Sequence, residues 1–166
     1  MKRFLLFIKD LIITVVLGVA IAYLLMTFVL TSVVVSGSSM YPTLHDGDYG
    51  FSFILTKNLK VERFDIVVVK HEEDLIVKRI IGMPGETIKY SDNKLYVNGE
   101  YVEEDFLDEN TKTNDFEYTL GEGEYYVLGD NRSSSKDSRA YGTFTIDDFV
   151  SSNVFVIWPF THFGLK

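Results

Sequence analysis

Three polar segments of this sequence carry side chains that suit catalysis. The first, residues 36–44, reads Ser-Gly-Ser-Ser-Met-Tyr-Pro-Thr-Leu. A serine hydroxyl becomes a nucleophile only when a base lies within hydrogen-bond reach. Because serine, glycine and proline also cluster in ordinary turns, composition alone favours a turn here. The chemical interpretation therefore needs a base elsewhere in the chain.

The second segment, residues 75–86, supplies a candidate base. Side chains alternate between the two faces of a strand, so Lys78 shares its face with Ile76 and Ile80. Burial of an amine among apolar neighbours disfavours the ammonium and lowers its pKa, from about 10.4 by as much as about 3–5 units. Such a lysine can act as a general base. The alternative, favoured for the lysine taken alone, is an edge-strand lysine whose head reaches water.

The third segment, residues 129–139, interleaves charges with hydroxyls in the order Gly-Asp-Asn-Arg-Ser-Ser-Ser-Lys-Asp-Ser-Arg. A solvated loop is the simplest interpretation of such a composition. The alternative is a hydrogen-bonded scaffold beside a site. Neither interpretation can be chosen from this segment alone.

Other candidate chemistry is weaker. The chain has no cysteine, which excludes disulfides, thiolate metal sites and a cysteine nucleophile. His45, His71 and His162 are isolated in sequence without ligand spacing, so we expect no metal site and no cofactor. A Ser-His-Asp triad through His71 fits the spacing but is less favoured than Lys78. The acidic run at residues 103–105 is expected to be a solvated loop.

Charge and hydropathy divide the 166 residues into an anchor and an exported domain. Residues 1–10 carry a net charge of +2, whereas the remainder of this chain of net charge −8 carries −10. Residues 11–35 are nearly all apolar, and about 20 helical residues cross a bilayer, so we expect a transmembrane anchor helix there. The cationic flank predicts a cytoplasmic N-terminus. A cleaved signal peptide is the alternative, but its apolar region would be shorter.

The exported part, residues 36–166, has the sequence pattern of strands. Asn98-Gly99, flanked by alternating apolar residues, predicts a two-residue hairpin. The only good helix candidate there is residues 145–151, which a threonine cap opens. A pI near 4.8 argues against a nucleic-acid partner. Strands are predicted at residues 65–69, 75–81, 95–102, 124–128 and 153–158.

Two apolar segments suit either a membrane interface or a strand core, namely residues 51–55 without Ser52 and the stretch Trp158-Pro159-Phe160. We favour strand core for both. Ser39 follows Val35 by only four residues. At about 3.3 Å per extended residue, it is expected close to the outer membrane surface.

In this order, the three segments resemble the type I signal peptidase family, membrane-bound serine proteases that use a Ser–Lys dyad. Residues 36–44 resemble the nucleophile box, in which the serine directly before Met-x-Pro-Thr attacks; here it is Ser39. Residues 77–86 resemble the lysine box, which places the base at Lys78. Residues 129–139 are close to the Gly-Asp-Asn-Arg box. The joint match favours the chemical interpretation of all three segments.

The resemblance implies a fold, a substrate and supporting residues. The fold is mainly β, a catalytic domain of coiled antiparallel sheets after one transmembrane helix, with a small inserted excursion at residues 86–122. The substrates are exported preproteins cut after a small-x-small site such as Ala-x-Ala. Ser135 would orient the lysine amine. The other implied residues are the ion pairs Asp130–Arg79 and Asp137–Arg139, and Met40, Leu44 and Val77 lining the substrate pocket.

The resemblance also implies a location and partners. We expect a single-pass protein of the plasma membrane with an extracellular catalytic domain, monomeric, with the lipid bilayer and preproteins as its partners. Two positions depart from the family. Phe64 replaces a glycine, and Gly37 replaces a serine that in some relatives helps to bind the oxyanion. The backbone N–H of Ser39, with Ser38, is therefore expected to form the oxyanion hole.

Two alternative classes remain open at this point. One is a membrane-anchored chaperone or assembly factor on a peptidase-like scaffold. Such a protein has no need of both Ser39 and Lys78, which argues against it. The other is a Ser–Lys self-cleaving regulator, which the apolar N-terminal run and the lack of a DNA-binding segment disfavour.

Overall fold

The protein is described by a computed structural model over residues 2–54 and 60–166. One long N-terminal helix, α1, precedes strands that form two antiparallel sheets. A single short helix, α2 (Ser138–Tyr141), follows the ninth strand. The elements are α1 (Lys2–Phe28), β1 (Leu30–Val34), β2 (Tyr49–Ile54), β3 (Ile66–His71), β4 (Asp74–Gly82), β5 (Thr87–Ser91), β6 (Lys94–Val97), β7 (Glu100–Val102), β8 (Phe116–Thr119), β9 (Tyr126–Leu128), β10 (Phe149–Trp158) and β11 (Gly164–Leu165).

The larger sheet has seven strands in the order β1-β2-β10-β3-β4-β9, with β11 paired to β10. All of its pairings are antiparallel. β3 and β4 are built from β-branched residues and are joined by a tight turn, as the sequence predicts. β4 lies between β3 and β9, although its pairing with β9 begins only at Arg79. Lys78 is buried, so the alternative of an edge-strand lysine whose head reaches water is wrong.

The smaller sheet has four strands in the order β7-β6-β5-β8 and occupies most of residues 86–122. The predicted Asn98-Gly99 turn joins β6 to β7, with φ angles of 52° and 87° at the two turn residues. Both angles lie in the left-handed region that a type I′ turn requires. The hairpin prediction is confirmed, and so is the mainly β fold class.

The anchor helix predicted over residues 11–35 is wrong at its C-terminal end. α1 begins at Lys2 and ends at Phe28, and residues Leu30–Val34 form β1 against β2. In this part Val33 and Val35 are buried while Ser32 and Val34 are exposed. That two-residue alternation matches a strand with one face on the core. The sequence did not show the boundary between helix and strand, because the apolar run continues across it without a charged residue.

The apolar part of α1, Leu6–Phe28, has a mean hydropathy of 2.6 and is not buried against the described part of the domain. By length and composition, these 23 residues suffice to cross a membrane. An apolar helix whose side chains are exposed all round in water would be unstable, which fits a lipid environment.

Two further expectations are corrected. The predicted helix at residues 145–151 is only a single 3₁₀ turn, Ile146–Asp148, because β10 begins at Phe149 and pairs with β3. The strand-core expectation fails for Trp158 and Phe160, whose side chains are largely exposed. Phe53 is also exposed, Phe51 and Ile54 are half-buried, and Leu55 lies outside the described residues.

Candidate active site

Ser39 lies in the turn between β1 and β2. Met40 and Leu44 anchor the turn, because their side chains are buried in the core together with residues of β1 and β10. The backbone N–H of Leu44 donates to the carbonyl of Met40 at 2.9 Å. Gly37 enters the turn with a φ of 87° and donates its N–H to Asp46 Oδ1 at 2.7 Å. These contacts leave Ser39 half-buried at the surface of the domain.

Lys78 reaches the nucleophile turn from the middle of β4, where it pairs with Val67 of β3. Only 3% of the Lys78 surface is exposed. Its Nζ donates to Ser39 Oγ at 3.0 Å and to the carbonyl of Val77 at 2.7 Å. The two residues that the sequence analysis singled out are thus brought into hydrogen-bond contact.

Burial decides the protonation of Lys78. Removal from water lowers the pKa of Lys78 to about 8, and the carboxylates of Asp137 and Asp130 offset only part of this effect. A lysine with this pKa is neutral in an appreciable fraction of molecules near pH 7, so it can accept a proton.

Arg79 and Asp130 join β4 to the loop that follows β9. Arg79 Nε donates to Asp130 Oδ1 at 2.9 Å and Nη2 donates to Oδ2 at 2.7 Å, in a buried bidentate pair. Thr43 Oγ1 also donates to Asp130 Oδ2 at 2.5 Å, so the pair holds the nucleophile turn as well. Arg79 Nη1 donates to the carbonyl of Phe64 at 2.8 Å.

Phe64, the position at which the resemblance implied a glycine, adopts a φ of 74°. This left-handed conformation is uncommon for a residue with a side chain. The Phe64 ring packs edge-on against Phe106 at 5.0 Å, and its carbonyl accepts from Arg79. Both contacts stabilise a turn that a glycine would form without strain.

Asp137 and Arg139 close the same loop from the other end. Arg139 Nε and Nη2 each donate to the Asp137 carboxylate at 2.8 Å, and the N–H of Gly129 donates to Asp137 Oδ2 at 3.0 Å. Burial disfavours the charged carboxylate, but the hydrogen bonds from Arg139 and Gly129 outweigh it and hold the pKa of Asp137 below its ordinary value.

Asn131 makes the direct link between this loop and the nucleophile turn. Its backbone N–H donates to the carbonyl of Ser39 at 3.0 Å, and its side-chain amide donates to the carbonyl of Ser38 at 3.1 Å. Sequence reasoning assigned no role to Asn131. Its place directly after Asp130 in the polar segment was the only signal.

Ser135 makes no hydrogen bond to Lys78, although the resemblance implied one. Its Oγ is buried and forms no hydrogen bond of normal geometry among the described residues, but it lies close enough to the Asp137 carboxylate to favour the charged form of that carboxylate. It lies close to the nucleophile turn, because a Cβ built on Gly129 would meet Ser135 Oγ at 2.2 Å and the Ser39 carbonyl at 2.4 Å. The carbonyl of Val77, and not Ser135, is the second partner of the lysine amine.

The residues expected in the oxyanion hole lie at the surface of the domain, whereas those expected in the substrate pocket do not all line one groove. Within residues 2–54 and 60–166, the N–H of Ser39 donates no hydrogen bond to the protein backbone, and Ser38 is exposed beside it. Val77 lines a groove of about 120 Å³ between β1, β4 and β10. Met40 and Leu44 do not line this groove, because both are buried in the core.

Arg132 connects the active-site loop to the smaller sheet. It is buried, and its Nη2 lies 2.6 Å from Glu104 Oε1 while Nη1 donates to the Tyr90 hydroxyl at 2.7 Å. Glu104 belongs to the acidic run that was expected to be solvated, and for this residue the expectation is wrong. A buried guanidinium needs such a partner.

Comparisons with known proteins identify the family of this chain. A family model described as "Signal peptidase, peptidase S26" matches residues 8–158. "Signal peptidase I T" of Bacillus subtilis (strain 168) is 40% identical over 160 residues, covering 88% of this chain and 83% of the relative. "Signal peptidase I" of Streptococcus pneumoniae serotype 4 is 38% identical over 181 residues, covering 82% and 86%.

A solved structure is also similar. It is the crystal structure of a signal peptidase I from Enterococcus faecalis V583, which is 36% identical to this chain with a TM-score of 0.51. The match covers 56% of this chain and 96% of that one. The family model spans nearly the whole sequence, and the relatives match most of it at well over 30% identity. The chain therefore belongs to the signal peptidase family, peptidase S26.

Proposed function

We propose that this chain is a serine endopeptidase, anchored in the membrane by α1, that removes N-terminal signal peptides from exported preproteins. Ser39 is the nucleophile and Lys78 is the general base. The observation that carries the proposal is the 3.0 Å contact between Lys78 Nζ and Ser39 Oγ, made by an amine whose pKa burial lowers to about 8.

The reaction follows from that contact. Neutral Lys78 accepts the Ser39 proton as the hydroxyl oxygen attacks the scissile carbonyl carbon. The N–H of Ser39 faces the oxyanion that forms, and in other proteases one such donor contributes about 3–4 kcal/mol. Lys78 then gives its proton to the leaving amine, which separates as the new N-terminus. A water deprotonated by the same lysine releases the acyl group from Ser39.

The loop that follows β9 holds Ser39 and Lys78 in position. Asn131 holds the Ser39 carbonyl, and the Arg79–Asp130 pair holds both β4 and Thr43. Because these contacts fix the turn and the strand against the same loop, serine and lysine keep their separation without substrate. Ser135 is the candidate to orient the amine once the substrate is bound, since its buried hydroxyl lies beside Asp137 and makes no hydrogen bond of normal geometry among the described residues.

The substrate assignment rests on size and location. The groove beside Val77 has a volume of only about 120 Å³, which suits the small residues of an Ala-x-Ala site better than large ones. The helix α1 ends at Phe28, and β1 leads directly from it toward Ser39. A preprotein's signal peptide lies in the same bilayer, and its cleavage site emerges at the same level.

The basic residues before the apolar run support a cytoplasmic N-terminus and an extracellular catalytic domain. A single membrane-spanning helix, residues 30–166 as the exported domain (from β1 onward) and a monomeric protein complete the proposal. A fusion of a reporter to each terminus, tested for protease accessibility in intact cells, measures this orientation.

The decisive experiment uses the full chain in detergent and a preprotein with an Ala-x-Ala site. Ser39→Ala and Lys78→Ala should each abolish cleavage while circular dichroism stays unchanged. Ser36→Ala and Lys70→Ala are the matched controls, because both residues are exposed and lie outside the site. Mass spectrometry of the product identifies the new N-terminus. Retained cleavage in either site variant contradicts the dyad.

A further inference from the structure

A second cluster of polar side chains lies at the far end of the nucleophile turn. It consists of Asp48, which directly precedes β2, together with His45 and His162, and we call it the His–Asp cluster. One ligand atom from each of the three residues lies within 4.8 Å of the others. His45 and His162 are far apart in the sequence, so the histidines are isolated there but not in the fold.

Asp48 lacks a permanent positive partner. Its carboxylate is only 1% exposed, and in the described part of the chain no lysine or arginine forms an ion pair with it. A buried carboxylate without a cation is costly to keep charged. Oδ2 accepts the backbone N–H of His45 at 2.8 Å, which orients the carboxylate but supplies no charge.

The two imidazoles face this carboxylate in different ways. His162 Nδ1 lies 2.7 Å from Asp48 Oδ1. His45 Nδ1 is buried and has no hydrogen-bond partner, since its distance of 3.9 Å to Asp48 Oδ2 is too long for a hydrogen bond. A buried ring nitrogen aimed at a carboxylate across such a gap leaves room for a cation between them.

We propose that the His–Asp cluster binds one divalent transition-metal ion of the zinc type. Two imidazole nitrogens and one carboxylate are a usual ligand set for Zn²⁺, at about 2.0–2.2 Å each. Tetrahedral ligand atoms are then separated by about 3.3 Å. His162 Nδ1 lies 2.7 Å from Asp48 Oδ1 and His45 Nδ1 lies 3.9 Å from Oδ2, so each imidazole is already near this separation from one oxygen of the carboxylate. Binding of one ion requires rotation of the side chains to bring the three ligand atoms, now within 4.8 Å of one another, to equal distances from it. The rings stack at 3.9 Å with an angle of 18°, and binding would splay them apart.

The bound ion would join distant parts of the chain. His162 ends the 3₁₀ turn after β10, whereas His45 and Asp48 close the turn that carries Ser39. The metal would therefore clamp the C-terminal segment onto the nucleophile turn. It takes no part in the peptidase chemistry, and the inference does not rest on the proposed function.

The test measures binding of ZnCl₂ to untagged full-length protein in detergent after treatment with a chelator. Isothermal titration should give one Zn²⁺ per chain, and saturation should raise the Tm. His162→Gln is the main variant because its side chain is 27% exposed, which makes misfolding a small risk. His45→Gln is the second variant, and His71→Gln is the control, because His71 lies against Tyr141 outside the cluster.

Each cluster variant should weaken Zn²⁺ binding at least tenfold and abolish the Tm increase, whereas His71→Gln should bind as the wild type does. Co²⁺ in place of Zn²⁺ should give visible absorption bands that disappear in His162→Gln. Excess Mg²⁺ should not compete, because it prefers oxygen ligands. Absence of saturable binding, or equal binding by His162→Gln and the wild type, overturns the proposal.

Discussion

Replacing Lys78 by methionine should change how the stability of the protein depends on pH. Burial lowers the pKa of Lys78 from 10.5 to about 8, against the partial opposition of Asp137 and Asp130. That difference corresponds to about 3 kcal/mol of folding free energy. Methionine keeps a similar length and flexibility but has no amine, so Lys78→Met removes the titration with little change of packing.

The direction of the effect follows from proton binding. Below pH 8 both the folded and the unfolded chain hold the lysine proton, and the wild type bears the whole penalty of about 3 kcal/mol for the buried ammonium. Between about pH 8 and 10.5 the unfolded chain binds the proton more tightly, so the wild type gains stability as the pH rises. The penalty is gone above that window.

Lys78→Met should therefore be more stable than the wild type at pH 7, and its advantage should shrink by about 2–3 kcal/mol by pH 10. The absolute advantage at pH 7 is smaller than the penalty, because the variant also loses the hydrogen bonds to Ser39 Oγ and the Val77 carbonyl, at about 1 kcal/mol each. The pH dependence of the difference is thus the informative quantity.

The measurement is urea unfolding of the full chain in detergent micelles at several pH values, followed by the fluorescence of Trp158, the only tryptophan. Lys70→Met is the control, because Lys70 is an exposed residue of the neighbouring strand β3 and its curve should run parallel to that of the wild type. A difference between Lys78→Met and the wild type that stays constant from pH 7 to pH 10 would refute the assignment of a depressed lysine pKa.

Three further predictions concern activity on a preprotein. The value of kcat/KM should rise about tenfold per pH unit below about pH 8 and level off above it, whereas a flat profile from pH 6 to 9 contradicts lysine as the base. Gly129→Ala should lower kcat/KM at least about a hundredfold, because the added Cβ would clash with the Ser39 carbonyl and displace the nucleophile turn. The control Gly18→Ala should leave kcat/KM unchanged, because its added Cβ meets no atom within 4 Å. Ser135→Ala should change the urea midpoint only slightly, since the hydroxyl makes no hydrogen bond of normal geometry in the described chain and Arg139 and Gly129 still hold Asp137. It should lower kcat about tenfold or more at constant KM, and an unchanged kcat removes its proposed role.

Local patterns in the sequence were sufficient for part of this fold. The Asn98-Gly99 hairpin depends on two residues that tolerate positive φ angles, and strands β3 and β4 depend on β-branched residues in uninterrupted runs. Each of these patterns involves only neighbouring residues, so the sequence alone predicts the structure that it forms. The pairing of serine with lysine, in contrast, came from resemblance, because no local rule joins Ser39 to a strand 39 positions away.

The structural features that the sequence did not reveal are those that depend on contacts with residues distant in the sequence. β1 continues the apolar run of α1, so only its pairing with β2 distinguishes it from helix. Glu104 was expected in water because acidic runs usually lie there, but a buried Arg132 binds it. His45 and His162 likewise meet only after β10 has returned beside β2.

The same reasoning explains why the third polar segment is so rich in charge. The proposed role of Lys78 as a base depends on its burial, and Arg79 next to it is buried as well, so β4 brings two basic side chains into the domain. Asp130 neutralises the guanidinium through a bidentate pair, whereas the amine is left beside carboxylates that raise its pKa only in part. Had Asp130 paired with the lysine instead, the ammonium would be stabilised and the base lost. Because Asp130 makes its direct contacts with Arg79, its carboxylate acts on Lys78 only through space and raises the lysine pKa less than burial lowers it. The pair with Arg79 thus supports the depressed pKa of Lys78 as well as the loop.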